Sequence, residues 1–499
     1  MVFDRKESKA TDGKRIKIGW AQTDITPPKP VTVFGQLYMR VSQYIHDPLT
    51  ASALALDNGE EQVILVSLDM AVCPVHASVK IREGLERRGI PFEKVSFSVT
   101  HTHNSSFYYD DVTWEMNKQF FASEILPEFE EPENMLCGEE AEEFLVEKII
   151  SLISEAWERR KDGGLSFAHE YAAVAFNRRP QFVGENGLET VMYGDCSEEN
   201  FTGFEGGADT SVELMYTWDE DRSLTGVVCN VPCPSQVYEL HSFLSADYWR
   251  SVRSRVREWL GRNIYILPMC GAAGDLAPID LVWYSKTNKQ ALRDWGGQTK
   301  EVLRNFDMTE ICQSIGERIS EAVLRGQRTS GGYIDESPVF RHEAVDIALP
   351  IRTVTEEEYQ EAADELEKVR RKFSKEKPMT MADLVKTFEP QGVVARYREQ
   401  KESTWYKIKS HIFRIGEAAF ATNPFELFQE YGQRIKARAK AKQVFISQLS
   451  NGWGGYLPTR AAVEGGSYSS KAASTICGPE GGEWLVKETL KQIDKLWKE

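Results

Sequence analysis

The stretch from residue 63 to residue 104 constrains this chain most. A nearly continuous apolar run over 63–70 is followed by a helical pattern over 75–88, closed by Gly89, and by a second apolar run over 95–99. Strand, helix, strand at this spacing predicts a parallel pair with a right-handed crossover, with ligands gathering outside the carboxyl ends of the strands. Directly past the second run stands Thr100-His101-Thr102-His103-Asn104, which holds two of only eight histidines. If the chain stays extended there, alternation puts His101 and His103 on one face, a pairing that suits one metal ligand and one proton handler. The bland alternative is a hydrogen-bonded rim at a strand end. Asp69, near the end of the first run, is expected on the same rim.

The rest of the chain supplies a framework for that unit. Residues 16–21 read as a short strand broken at Pro27-Pro28. Residues 51–56 pair with 63–70 through the Asn58-Gly59 turn. A strong amphipathic helix is expected over 138–160, with Ala141, Leu145, Ile149, Leu152 and Ala156 on one face. Further strands are expected at 165–176, 225–231, 264–268, 339–351 and 444–449, and a hairpin at 412–421. Helices are expected at 248–260, behind the cap Ser245-Ala246-Asp247, and at 308–324, 427–439 and 483–497. Residues 104–137 and 181–207 lack clear periodicity and read as long functional loops. Thr355 with Glu358, and Thr380 with Asp383, form capping boxes that predict two helices in a charged insert over 354–403. No repeat or low-complexity linker divides the 499 residues. The expectation is one large α/β domain of mixed, largely parallel sheets flanked by helices, with the site at the carboxyl ends of strands.

Sixty basic against seventy-six acidic side chains leave a net charge of −16, which repels phosphate backbones, so nucleic acid is not an expected partner. No run approaches the ~18 apolar residues of a spanning helix. The first 17 residues are charged and lack the apolar core of a secretion signal, so a cytoplasmic location is expected. Eight cysteines without a CxxC pair predict free, mostly buried thiols. Cys229 and Cys233 have a metal-like spacing, but no second pair stands nearby.

Several signposts occur together: Thr23-Asp24-Ile25-Thr26-Pro27-Pro28, His46-Asp47-Pro48-Leu49, Val66-Ser67-Leu68-Asp69, Thr100-His101-Thr102-His103, Asn177-Arg178, Ser245-Ala246-Asp247, Gly274-Asp275 and residues 451–460. With these the chain resembles the N-terminal catalytic domain of the neutral/alkaline, non-lysosomal ceramidases over nearly its whole length. The resemblance implies a zinc amidohydrolase in which His101, Glu426 and Tyr456 are metal ligands. It also implies that His103, Arg178 and Tyr468 hold the substrate or the transition state, with Asp275 beside them. His46, Asn104, Gln236 and Trp453 are the expected substrate contacts. The smaller C-terminal sandwich domain of the secreted ceramidases is expected to be absent.

Two departures stand out. Aligning Asn230 and Cys233 puts Pro234 where the family has a second histidine ligand, and Ala277 stands where a substrate-bonding serine is expected. That leaves His101, Glu426 and Tyr456, which with water still suffice for a catalytic zinc site, unless Glu239, His241 or Cys233 swings in. An oxygen replacement favours Mn or Mg over Zn. The metal is alternatively absent, with the histidines and tyrosines left as acid and base.

The leading expectation is therefore a ceramidase-like, metal-dependent hydrolase for a small polar substrate rather than ceramide. Trp114, Trp283, Trp295 and Trp453 in polar loops suggest a carbohydrate, as a sugar amide or glycoside. The second reading is a carbohydrate lyase or glycosidase, in which His103 or Tyr468 moves a proton and Arg178 pairs with a substrate carboxylate. The third is a non-catalytic ligand-binding homologue. A homo-oligomer is compatible with all three.

Overall fold

The computed structural model describes residues 14–109, 112–128, 132–185, 187–287 and 308–498. Trp295 lies outside these described residues. An eight-stranded sheet runs in the order Tyr265–Cys270, Leu224–Val231, Ser211–Asp219, Lys161–Tyr171, Lys17–Asp24, Thr50–Asp57, Gln62–Leu68, Val95–Val99. The Asn58-Gly59 hairpin forms in the register Ala51↔Leu68 to Asp57↔Gln62, and the Asp57 carboxylate accepts from the Gly59 amide to close the turn. Gln62–Leu68 and Val95–Val99 are parallel, joined through the helix Ser78–Glu86.

The sheet is mixed, and its parallel character is confined to its two ends. Only Gln62–Leu68 with Val95–Val99, and Leu224–Val231 with Tyr265–Cys270, are parallel; the pairings between them are antiparallel. The expectation of largely parallel sheets is corrected here. Tight turns such as 58–61 and 220–223 leave no length for a crossover.

Strand alternation builds the layers. Ala53 and Ala55 face a core shared with Leu145, Ile149 and Leu152 of the helix Gly138–Glu158. Leu54 and Leu56 face the other way, onto Phe413, Phe420 and Phe445 of a second sheet. That sheet has the order Phe340–Pro350, Trp405–Ile415, Ala418–Thr422, Gln443–Ser447, its last pair parallel. Its outer face is covered by the helices Gln429–Arg438 and Pro479–Leu496. Helices Tyr248–Leu260 and Thr309–Ser330 cover the remaining outer face of the first sheet. The result is a four-layer stack of helix, sheet, sheet, helix, with an aromatic core between the sheets.

Two expected loops contain regular structure. Residues 180–204 form a three-stranded sheet, Pro180–Gly184, Gly187–Thr190 and Phe201–Phe204, whose few apolar positions hid the alternation. Residues 104–137 include the helix Val112–Phe120, and Phe120, Phe121 and Leu126 pack on the insert. The insert has three helices rather than two: Glu356–Lys372, Met381–Lys386 and Phe388–Glu399. Both capping boxes close with reciprocal hydrogen bonds. All eight cysteines are free thiols, six of them buried. No helix among the described residues is long and apolar enough to cross a membrane.

Candidate active site

The carboxyl ends of the three parallel strand pairs meet at one rim. Val95–Val99 delivers His101 and His103, and Gln62–Leu68 delivers the Ala71 carbonyl. Leu224–Val231 delivers Gln236 and Glu239, and Tyr265–Cys270 delivers Gly274-Asp275. The second sheet delivers Glu426 after Ala418–Thr422 and Tyr456 after Gln443–Ser447. Glu426 and Tyr456 sit side by side in a short parallel pair.

His101 and His103 do come together, but not by alternation. His101 has φ +60°, so the chain turns through the left-handed region directly after the strand. The bend sets the rings edge to face, 4.8 Å between centroids, with their Nε2 atoms 3.4 Å apart. His101 Nδ1 lies 2.6 Å from the Ala71 carbonyl oxygen. A carbonyl only accepts, so Nδ1 carries the hydrogen, and in the neutral ring Nε2 presents a bare lone pair. That lone pair lies 3.4 Å from Glu426 Oε2.

Gln236 closes the other side. Its amide nitrogen lies 2.8 Å from His103 Nε2 and 3.3 Å from His101 Nε2. Donation to both leaves both Nε2 atoms bare and turns the His103 Nδ1–H toward Glu239 Oε2, 3.1 Å away. That contact is set by charge and distance rather than by a straight hydrogen bond, since Nδ1 has no well-aligned acceptor. Burial pushes the His103 imidazole down to about 4, against the opposing pull of Glu239. His103 is therefore neutral at pH 7.

Arg178 is buried and donates to the Gly274 carbonyl at 2.8 Å, to the Tyr456 hydroxyl at 3.0 Å and to the Tyr193 hydroxyl at 3.2 Å. Burial opposes its charge, but Tyr456, Tyr193 and Glu426 outweigh that and hold it firmly cationic. Burial would likewise raise the Glu426 carboxyl, yet His101 in its protonated form, where Nε2 donates to the carboxylate, and Arg178 pull it below its ordinary value. Tyr456 and Tyr468 pack edge to face at 5.6 Å, and burial raises both phenols well above the ordinary range. Gly274 makes this convergence sterically feasible, because a Cβ there would lie 2.3 Å from the Glu426 carbonyl oxygen.

The other expected contacts are dispersed. Asp275 accepts from the Gln429 amide at 2.7 Å and from Asn177 at 3.1 Å, and burial pushes its carboxyl up to about 6. It braces the Arg178 segment, whose amide bonds its carbonyl. Asn104 is fully buried and donates to the His241 and Phe243 carbonyls. The His241 and His46 rings both stack on Phe243, and His46 Nδ1 meets Asp47 at 2.9 Å. Trp453 is exposed beside Phe34, and the adjacent Gly35 packs against the His103 ring. Ala277 pairs with Phe176 in a buried two-residue strand. Asp69 forms a buried ion pair with Arg253 at 2.6 Å. Two contributors carried no sequence signal: Tyr193, in a segment without periodicity, and the Ala71 carbonyl.

Among the described residues, no group of three or more His, Cys, Asp and Glu could hold a metal, so any centre must draw on other donors. One imidazole, one carboxylate and one phenol converge, and a zinc-sized ion bound at ~2.1 Å would separate tetrahedral ligands by about 3.4 Å. The 3.4 Å from His101 Nε2 to Glu426 Oε2 matches that edge. The turn at Pro234 bonds the Gln236 amide and places its carboxamide against both imidazoles, while Gln236 Oε1 is buried without a hydrogen-bond partner. Rotating that amide would present an oxygen to the same point. The residues present fit a cation.

No family model matches the chain, and no curated protein matches it. Solved structures do. A ceramidase complexed with C2 superposes with a TM-score of 0.63 at 15% identity, covering 96% of this chain and 75% of that one. The neutral ceramidase from Pseudomonas aeruginosa superposes with a TM-score of 0.64 at 17% identity, covering 98% of this chain and 76% of that one. The resemblance read from the motifs thus extends to the fold along almost the entire chain.

Proposed function

We propose that this protein is a metal-dependent hydrolase of the ceramidase fold, acting at the carbonyl of a small polar amide rather than on ceramide. One observation carries the reading: around one point stand His101 Nε2 and the Glu426 carboxylate, 3.4 Å apart, and the Tyr456 phenol, which bonds that carboxylate and accepts from the Arg178 guanidinium. A divalent ion held by His101, Glu426 and Tyr456, zinc in the first instance, would supply Lewis acidity and a more acidic water. The Ala71 carbonyl keeps the His101 lone pair aimed at that point. Arg178, charged and dry, offers its donors to oxyanion charge developing on a substrate carbonyl. His103, neutral and backed by Glu239, can accept a proton at Nε2 once the Gln236 amide moves aside. Tyr468 stands over Tyr456 as a further donor.

Among the described residues, the sugar amide or glycoside reading narrows to one tryptophan. Trp114 packs into the insert's apolar cluster, and Trp283 lies by a separate groove with Ile279 and Tyr284. Trp453, near Gly35 and the His103 ring, is the remaining aromatic platform. The acid–base reading, a lyase or glycosidase without metal, draws support from the buried His103–Glu239 pair.

Elemental analysis separates the two. Protein purified without chelator is expected to carry about one divalent ion per chain, lost in His101→Ala. Cleavage of small anilides such as p-nitroacetanilide should stop on chelation and return with metal. Metal-free protein whose turnover is indifferent to EDTA would overturn the hydrolase reading in favour of the acid–base one.

A further inference from the structure

A cavity lies beside the strand Val95–Val99. It encloses about 440 Å³ between the helix Ser78–Glu86 and the second sheet, a volume in the small-molecule range. Its walls are mostly apolar, including Val75, Ile81, Phe92, Val95 and Phe97, and His411 lines its floor. No residue assigned above to the candidate active site lines it.

The protonation state of His411 follows from a relay of contacts. His342 Nδ1 lies 3.1 Å from the Gln62 carbonyl oxygen, which can only accept, so that nitrogen carries the hydrogen and His342 Nε2 is bare. His411 Nδ1 lies 3.0 Å from that bare nitrogen and must donate to it. Both rings are held neutral, chiefly by burial, so the remaining nitrogen of His411, Nε2, is a bare acceptor. The His411 amide is used on Thr422 Oγ1 at 2.8 Å, so Nε2 is the polar atom left for the cavity, in a residue only 3% exposed. Of the other polar groups of the wall, Cys73 Sγ donates to the Leu449 carbonyl, Asn451 Oδ1 accepts from the Phe97 amide, Ser78 Oγ donates to the Val75 carbonyl and Lys409 pairs with Asp346, while Arg82, Glu86 and Glu93 are exposed side chains of the lining.

We propose that this cavity is a binding site for a small, uncharged, largely apolar molecule that presents one hydroxyl or N–H group to His411 Nε2. The lone pair repels a carboxylate, whose oxygens are also acceptors. Beside His411 an ammonium is disfavoured by Lys94 and Lys409, which already act against charge on this histidine pair, whereas the acidic Glu86 and Glu93 of the lining are exposed to solvent. Occupancy would bear on the candidate site through the wall itself. Cys73 lies two residues beyond the carbonyl that orients His101, and Asn451, with φ +57°, begins the loop that leads to Tyr456.

Three probes with one hydrocarbon body test this: 4-phenylbutan-1-ol, 4-phenylbutyrate and 4-phenylbutylamine. Binding is read by calorimetry and by the imidazole ¹⁵N resonances of His411. The alcohol is expected to bind at least about ten-fold more tightly than either ion and to shift His411 Nε2. His411→Phe, which keeps a ring in the space, should weaken the alcohol about ten-fold, the worth of one buried hydrogen bond. Ala344→Trp, at an exposed strand position on the rim, should block all three while leaving the melting temperature near that of the parent. Equal binding of alcohol and carboxylate, no response at His411, or undiminished binding to a folded His411→Phe protein would each overturn the proposal.

Discussion

Gln236 holds one amide group between two imidazole lone pairs and leaves its own oxygen buried without a partner. An unpartnered buried oxygen costs about 1–3 kcal/mol, and a cation between His101 and Glu426 would relieve it by turning the amide over. Replacing the amide with an imidazole restores a nitrogen donor at this point. Gln236→His is expected to raise zinc affinity at least about ten-fold, measured by competition with a chromophoric chelator, and to shift preference from Mn toward Zn. Unchanged affinity would place Gln236 outside the coordination sphere. Much of this site was legible in residues: the two histidines announced themselves by spacing, and Arg178, Glu426, Tyr456 and Tyr468 by family motif. Gln236 was read as a substrate contact, because Pro234, where the resemblance implies a histidine, directs attention to acids and thiols. The approach of an amide two residues later depends on how the Pro234 turn folds back onto Thr100, and that is a tertiary matter.

At the scale of elements, local chemistry was read well and pairing poorly. The Asn58-Gly59 hairpin, the helix behind Asp247 and both capping boxes formed because each is decided within a few residues. The antiparallel interior of the first sheet and the small sheet over 180–204 depend on which strands meet, and apolar runs do not encode that. The insert is the clearest case. Its charged helices suggested solvated faces, yet Ala362, Leu366, Leu384 and Val394 close a separate small core with Phe120, Phe121 and Leu126. Leu366→Ala removes a 2%-exposed side chain from that cluster and should cost about 2–5 kcal/mol locally. Hydrogen exchange should then accelerate together in residues 356–399 and 112–126, with Val95–Val99 unaffected. Loss of protection throughout the chain would mean that the insert is not a separable cooperative unit.

At the scale of the whole molecule, the His342–His411 pair ties the layers, since His342 belongs to the second sheet and bonds the Gln62 carbonyl of the first. Burial holds these imidazoles down, to about 4 and about 3. The unfolded chain takes up a proton on each near pH 6.5, the folded chain only below 4, so stability is present above 6.5 and is lost as pH falls toward 4. Asp247 and Asp275, whose carboxyls burial pushes up to about 7 and about 6, act with the opposite sign in part of this range, so the difference from a variant is the useful quantity. Relative to His411→Phe, the parent should lose up to about 1.4 kcal/mol per pH unit between pH 6.5 and 4 in denaturant titrations. Parallel stability profiles would show that the pair does not stay neutral on folding.

The two sides of the candidate centre grow from different sheets: His101 from the first, Glu426 and Tyr456 from the second. The gap between His101 Nε2 and Glu426 Oε2 is therefore a caliper laid across the aromatic layer of Phe413, Phe420 and Phe445. A slip of one sheet over the other by a single ångström would open its jaws while leaving every strand intact. Catalytic competence in such a construction is a property of alignment between slabs, and it can vanish in a molecule that by every measure of secondary structure is still folded.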